Sequence, residues 1–497
     1  MHLHDTFAAQ SFGSDPSSEG GDLNAYPKRI HFIGLCGTAM GSVAVALHQQ
    51  GWKVTGSDEK PYPPISDFLA KHHIPLSLGY SSENLPKEEA LIVVGNAISR
   101  GNPELEAVLN RKLLYTSLPE LLRTHFLQGR HNIVVAGTHG KTTTSSMIAW
   151  IFEVAQKNPS YLIGGIPNNL GQGACFRNPD TSRYVILEGD EYDTAFFDKR
   201  SKFLHYLPEL TIINNIEFDH ADIFSNLEEI KLSFRRLLQL VPSEGMILLN
   251  GDDVNCLDIA SYASAPLVEV GFSENAGNRI LSPWQKEGHC GFTLFGEAFD
   301  LPMTGEHNLR NAAMAVAAAH FYGIPLSTIR KALLEFQGVK RRQEIVATIN
   351  GITIIDDFGH HPTAIRQTLE GLRARYNTAR LWALFEPRSN TSRRAVFQKI
   401  LPEAFAAAEG VIIGAVARAE QLSSSERLNP EQLVLDLTAM GKQAFYEPST
   451  DEIIIRLQSL AQPGDVIVIF SNGSFDGLVK RLQAKAVTTN IPLVVGR

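Results

Sequence analysis

Residues 133–144 read Ile133-Val134-Val135-Ala136-Gly137-Thr138-His139-Gly140-Lys141-Thr142-Thr143-Thr144, and a helical pattern continues to Trp150. A β-branched apolar run, a glycine turn and Gly-Lys-Thr form the strand–loop–helix grammar of a phosphate-binding loop. Amides at such a helix start can hold phosphate oxygens, and the helix dipole favours their charge. In that reading Lys141 reaches the outer phosphates and the Thr142 hydroxyl holds magnesium. The usual loop has glycine where this chain has Val135, and only two residues separate Gly137 from Gly140. The loop is therefore tighter than a Walker A loop.

Strands and helical stretches alternate on either side of this loop, which predicts parallel sheets with crossover helices. Three α/β blocks follow: 28–124, 125–337 and 338–497, after a Ser-, Gly- and Asp-rich tail over 1–27 that reads as disordered. The first holds strands at Ile30–Ile33, Lys53–Thr55 and Ala90–Val94. The second adds Tyr184–Leu187, Leu210–Ile216 and a helix over Asn311–His320. The third holds Ile352–Ile355, Leu381–Phe385 and Val466–Phe470. In each block polar clusters follow strand carboxyl ends, where open parallel sheets bind ligands.

Composition bounds the rest. The 497 residues are 44% hydrophobic and 20% charged, which is ordinary for a globular protein. A net charge of -8 argues against a broad nucleic-acid surface. Cys36, Cys175, Cys256 and Cys290 form no CxxC pair, so reduced thiols in a cytoplasmic protein are expected. No apolar run reaches membrane-spanning length.

Several constellations carry chemistry. The loop Gly34, Gly37, Gly41 precedes Asp58 at the second strand's end, which suits a dinucleotide, a UDP-type ligand or a plain turn. Glu188 opens Glu188-Gly189-Asp190-Glu191-Tyr192-Asp193, whose crowded carboxylates call for a cation or basic partners. His220 follows Asp219 at the next strand end, as a structural histidine or a metal ligand. Asn308 and Asn311 flank a helix start, where they cap it or read adenine. Lys340-Arg341-Arg342 joins blocks two and three, as solvated surface or as a phosphate contact. In Asp356-Asp357-Phe358-Gly359-His360-His361-Pro362 the adjacent histidines raise zinc. Consecutive residues rarely face one ion, and no other Cys or His lies at a useful spacing, so nucleotide contact is favoured. Arg388, after a third-block strand, suits bidentate pairing with a carboxylate.

As an ordered set, over about Arg29 to Lys480, these motifs resemble the ATP-dependent Mur ligases of peptidoglycan synthesis; the short phosphate loop is that family's own form. The resemblance implies an α/β fold of three domains: a Rossmann-like UDP-sugar domain, a central P-loop ATPase-type domain and a Rossmann-like C-terminal domain. It implies ATP and Mg²⁺ as cofactors, with Thr142 and Glu188 holding one Mg²⁺ and His220 a second. Lys141, Glu188, His220 and Arg342 become the catalytic set. The nucleotide falls to Gly137, Thr138, His139, Gly140, Lys141, Thr142 and Thr143, with Asn308 and Asn311 at adenine and Asp357 at ribose. His360 joins them, and Arg341 or Arg342 reaches the γ-phosphate. UDP-N-acetylmuramate falls near Gly34, Gly37, Thr38, Ser57 and Asp58, with Asn96 and Asn169. Ser389 and Asn390 join Arg388 at the amine substrate. Some relatives bridge the metals with a carbamylated lysine, and Lys231 is the nearest lysine after His220.

The finer sequence resembles the family's wall-recycling branch. Gly95-Asn96-Ala97, Phe196-Phe197-Asp198-Lys199-Arg200 and Glu386-Pro387-Arg388-Ser389-Asn390-Thr391 carry that likeness. Ser474 stands where that branch often has a second glycine. The implied amine is L-alanyl-γ-D-glutamyl-meso-diaminopimelate, with L-alanine the alternative. A nicotinamide-dependent oxidoreductase and a nucleotide-regulated binding protein are the competing classes; the first leaves Lys141, Glu188 and His220 unexplained. The expected partners are small molecules, with no nucleic acid and no membrane, and the expected state is a monomer or weak homodimer.

Overall fold

The computed structural model describes residues 28–61, 65–488 and 493–495. The tail over 1–27 lies outside the described residues. The chain builds three α/β sheets in sequence. The N-terminal sheet is wholly parallel and runs, in spatial order, Leu76–Leu78, Lys53–Asp58, Arg29–Ile33, Leu91–Val94 and Tyr115–Ser117. The strand order reverses beside Arg29–Ile33, so the crevice at its carboxyl end lies at a topological switch point. The Lys53 strand runs on to Asp58, because Gly56, Ser57 and Asp58 keep pairing with Leu76, Ser77 and Leu78.

The central sheet has eight strands. His131–Ala136 lies in its middle, between Tyr184–Glu188 and Leu210–Ile213, parallel to both. Val134, Val135, Ile186, Leu187 and Ile212 are fully buried, as continuous apolar strands covered on both faces must be. The helix Glu306–Phe321 buries every residue from Ala312 to Ala319, all alanine or valine except Met314. Small side chains there let it lie close against the helix Lys141–Val154. An antiparallel three-stranded sheet, Leu281–Lys286, His289–Leu294 and Glu297–Leu301, is inserted before that alanine-rich helix.

The C-terminal sheet has seven strands with Ile352–Asp357, Val466–Phe470 and Leu381–Phe385 side by side and parallel. Its margin is antiparallel: Glu344–Ile349 pairs with Ile352–Asp357 and with Leu493–Val495. Asp356 and Asp357 belong to the strand itself. Among the described residues no helix is long and apolar enough to cross a membrane.

Candidate active site

The phosphate loop takes its shape from two glycines and two asparagines. Gly137 and Gly140 have φ of 129° and 80°, in the left-handed region that glycine enters without strain. Gly140 is the N-cap of the helix Lys141–Val154. Asn215 Oδ1 accepts from the His139 amide at 2.8 Å, and its Nδ2 donates to the His139 carbonyl at 3.2 Å. Asn214 Nδ2 donates to the Thr144 hydroxyl at 3.1 Å. These asparagines end the strand Leu210–Ile213 and set the loop from outside.

Opposite the loop stands the acidic turn after Tyr184–Glu188. Thr142 Oγ1 donates to Glu188 Oε1 at 3.0 Å, and the Gly164 amide donates to Glu188 Oε2 at 2.7 Å. Lys141 Nζ lies 2.8 Å from Glu191 Oε2 and also donates to the Gly137 carbonyl. Burial alone would lower the Lys141 pKa; the carboxylates of Glu191 and Asp190 outweigh it and raise the value. Glu191 is 2% exposed and meets His220 Nε2 at 2.8 Å. Burial would also lower the His220 pKa, and Glu191 reverses this. Asp190, paired with Lys202 at 2.6 Å, is held at about 2: burial raises it, but Lys202 and Lys141 prevail. Oxygens of Asp190 and Glu191 and a ring nitrogen of His220 lie within 4.8 Å of one another. This oxygen-rich donor set fits a hard divalent cation.

The C-terminal sheet closes the far side. Arg342 Nη2 donates to Thr142 Oγ1 at 3.4 Å, and its guanidinium lies 5.1 Å from the Phe358 ring centre. Asn390 Nδ2 donates to Asp222 Oδ2 at 2.7 Å, and the Ala221 amide donates to Thr391 Oγ1 at 3.1 Å. Together these walls enclose a cleft of about 1150 Å³, whose lining runs from Cys36 and Ser42 past the phosphate loop to Asn390 and Arg418.

Many of the residues singled out from sequence meet in this cleft. Thr138, His139, Gly140, Lys141, Thr142, Thr143, Glu188, His220, Asn308, Asn311, Arg341, Arg342, Asp357, His360, Ser389 and Asn390 all line it. Asn308 and Asn311 do not cap their helix. Its N-cap is Gly305, without a side-chain bond, while Asn308 Nδ2 donates to the Thr304 carbonyl. Asp357 accepts the Gln343 amide on one oxygen and the Gly359 amide on the other, at 2.8 and 2.7 Å.

The other residues singled out from sequence have the following surroundings. Arg341 spends its guanidinium inside the C-terminal sheet, on Asp356 at 2.9 Å and on the Ser471 and Gly473 carbonyls; Arg342 alone of the pair reaches the phosphate loop's helix. Ser57 is fully buried, and its hydroxyl donates to Glu104, itself bonded to His31 at 2.6 Å. Asp58 accepts the Cys36 amide at 2.8 Å and so braces the Gly34–Gly37 loop from beneath. The Thr38 side chain lies outside the described residues, and Asn96 is exposed just past its strand. Asn169 binds backbone at Glu335 and Gln337, fastening a loop to the connection between sheets. Lys231 is paired with Glu228 and Asp258, not with the acidic turn. Arg388 donates to Glu386 at 3.2 Å. Arg418 stands on the cleft wall, where sequence reading assigned nothing. Asn214 and Arg418 lacked a distinguishing spacing; only the fold brings Asn214 to the loop and Arg418 to the cleft.

Three sheets meeting at a phosphate loop, with carboxylates before it and an arginine reaching over from the next domain, define a nucleotide-binding α/β enzyme. Comparison narrows this class. Residues 29–130 match the catalytic domain of the Mur ligase family, 135–319 the Mur ligase middle domain and 341–473 the Mur ligase glutamate ligase domain. The chain belongs to the Mur ligase family. It is 38% identical, over 92% of its length and 99% of the relative's, to a Haemophilus influenzae UDP-N-acetylmuramate–L-alanyl-γ-D-glutamyl-meso-2,6-diaminoheptandioate ligase. It is 31% identical to a Sulfurihydrogenibium UDP-N-acetylmuramate–L-alanine ligase, over 92% of this chain and 98% of that one. The crystal structure of a murein peptide ligase from Psychrobacter arcticus superposes with a TM-score of 0.69 at 35% identity, covering 92% of this chain and 98% of that chain.

Proposed function

We propose that this chain is an ATP-dependent amide ligase of peptidoglycan recycling, joining UDP-N-acetylmuramate to L-alanyl-γ-D-glutamyl-meso-diaminopimelate. The observation that carries the reading is the meeting of Lys141, Thr142 and Glu188 with Arg342 across one cleft. The 38% identity to the H. influenzae ligase supports the substrate pair.

A carboxylate is a poor acyl donor, because oxide would have to leave. In the proposed reaction the lactyl carboxylate oxygen attacks the γ-phosphorus of ATP, the bond to the β,γ-bridging oxygen breaks, and ADP leaves. The peptide's α-amine then attacks the acyl phosphate carbonyl, loses a proton, and expels inorganic phosphate. Lys141 and Arg342 offset charge on the transferring group from two sides, and the enclosed cleft positions the reactants. Thr142 and Glu188, with Asp190, Glu191 and His220, are the residues that would hold Mg²⁺, which supplies further charge neutralisation when bound. Asn308, Asn311 and Asp357 take the nucleoside end. Units 28–124, 125–337 and 338–497 take the UDP-sugar, the nucleotide and the amine respectively, in the cytoplasm, where ATP is available.

The test supplies ATP, Mg²⁺ and UDP-N-acetylmuramate with either tripeptide or L-alanine and weighs the product. Tripeptide-dependent release of phosphate with the matching adduct mass is expected. A product formed with L-alanine alone would transfer the chain to the alanine-adding reaction of its 31% relative.

A further inference from the structure

Beside the phosphate loop, away from the acidic turn, lies a second group of donors from two sheets. His139 sits in the loop, Glu217 follows the strand Leu210–Ile213, and His361 precedes the C-terminal helix Pro362–Arg375. One donor atom from each lies within 4.8 Å of the other two. Glu217 Oε2 is 3.5 Å from His139 Nε2 and 3.4 Å from His361 Nδ1. Those separations are long for charge-assisted hydrogen bonds, which run at about 2.7–2.9 Å. They match the edge of a tetrahedron around an ion with bonds of about 2.0–2.1 Å, roughly 3.3–3.4 Å.

Two further observations point to an ion. His139 Nε2 is buried and, among the described residues, has no hydrogen-bond partner, its approach to Glu217 being 3.5 Å. His361 Nε2 lies 3.2 Å from the Phe218 carbonyl, which fixes the proton there and leaves Nδ1, 3.4 Å from Glu217, as the acceptor nitrogen. A ligating histidine whose other nitrogen donates to a backbone carbonyl is the usual support for a metal site. Thr363 engages both atoms: its Oγ1 donates to Glu217 Oε2 at 2.6 Å, and its amide donates to His361 Nδ1 at 3.2 Å, a helix-capping bond that an ion on Nδ1 would replace. The adjacent His360 faces elsewhere, toward the Phe358 carbonyl and Asp219. The third ligand for a histidine of that pair comes from the phosphate loop, far off in sequence.

We infer that His139, Glu217 and His361 form a second metal site, suited to a borderline ion such as Zn²⁺, that fastens the C-terminal domain onto the phosphate loop. Two imidazoles and one carboxylate favour Zn²⁺ over Mg²⁺, which takes oxygen ligands. An ion there holds the cleft shut, and a shut cleft slows product release.

The test is Co²⁺ titration of the full chain, read by the visible absorption of tetrahedral cobalt, with Zn²⁺ displacing it. This readout does not depend on turnover. Three variants separate the sites: Glu217→Gln, His361→Asn (which keeps a capping side chain) and His220→Gln in the acidic turn. The expected result is one tetrahedral cobalt per chain, bound at least about tenfold more weakly in the first two variants and unchanged in the third. Absence of a tetrahedral band in the wild-type chain would overturn the inference. So would a band that Glu217→Gln and His361→Asn leave intact, or one that His220→Gln alone removes.

Discussion

Arg418 and Arg388 stand differently toward the peptide contact that the sequence reading expects of Arg388. Arg388 is drawn back onto Glu386 and packs against Gly473, where an added Cβ would lie 2.2 Å from its Nε. Arg418 keeps its guanidinium on the cleft wall and braces the loop through the Arg388 carbonyl. A charge-assisted bond to a peptide carboxylate contributes about 1.5–3 kcal/mol. Arg418→Ala should therefore raise the tripeptide KM by about ten- to a hundredfold while the ATP KM stays near wild type; steady-state kinetics with each substrate varied decides this, and equal rises would refute it. His307 yields a pH prediction. Burial, then the nearby Arg310, holds its imidazole down at about 4. A depressed folded pKa means that the unfolded chain binds the proton first, so this contribution to stability is present above about 6.5 and lost as pH falls toward 4. Urea midpoints should drop between pH 7 and pH 5, and less steeply for His307→Gln. Equal slopes in both proteins would remove His307 from the account.

At the scale of elements, the strands and the phosphate loop were legible because their signals are local. Buried parallel strands read as short apolar runs, and Gly-Lys-Thr after such a run fixes a strand–helix turn. The inserted sheet was not legible: every residue of Leu281–Lys286 is exposed, so no alternation marks it. Nor was the second partner of the loop, since Asn214 and Asn215 act on it only after their strand pairs with His131–Ala136. Arg341 and Arg342 are neighbours in sequence with opposite fates, because the Arg341 backbone at φ 60° turns its side chain into the C-terminal sheet. The loop gives its own test. A Cβ on Gly140 would lie 2.4 Å from Asn311 Oδ1 and 2.8 Å from Asn214 Nδ2, at φ 80°. Gly140→Ala is expected to cost about 1–3 kcal/mol and to weaken ATP binding, measured by thermal unfolding with and without nucleotide. A variant with wild-type nucleotide affinity would show that the loop tolerates a wider turn.

For the molecule as a whole, several of the polar bonds that close the C-terminal sheet over the central one gather on one segment, 217–222, beside the packing of Gly371 against Gly305. Thr363 donates to Glu217, His361 meets the Phe218 carbonyl, Thr391 accepts from the Ala221 amide, and Asn390 donates to Asp222. Arg342 adds its long contact to Thr142. Polar contacts at a partly wet seam contribute about 1 kcal/mol each, so a few of them hold the closed state without making it permanent. That suits an enzyme that must admit three substrates and release three products through one cleft. Removing two, by Asp222→Ala with Thr391→Val, subtracts about 2 kcal/mol, which is roughly thirtyfold in the balance between open and closed forms. Neither side chain contacts Lys141, Glu188 or Arg342, so the expected change is in domain disposition and in KM values. Small-angle scattering should give a larger radius of gyration for the double variant without substrates. The wild-type value should be restored when ATP and UDP-N-acetylmuramate contribute their own contacts. Identical curves for both proteins in both conditions would mean that the sheets are held together elsewhere, and the 217–222 segment would then be a lining of the cleft and not its latch.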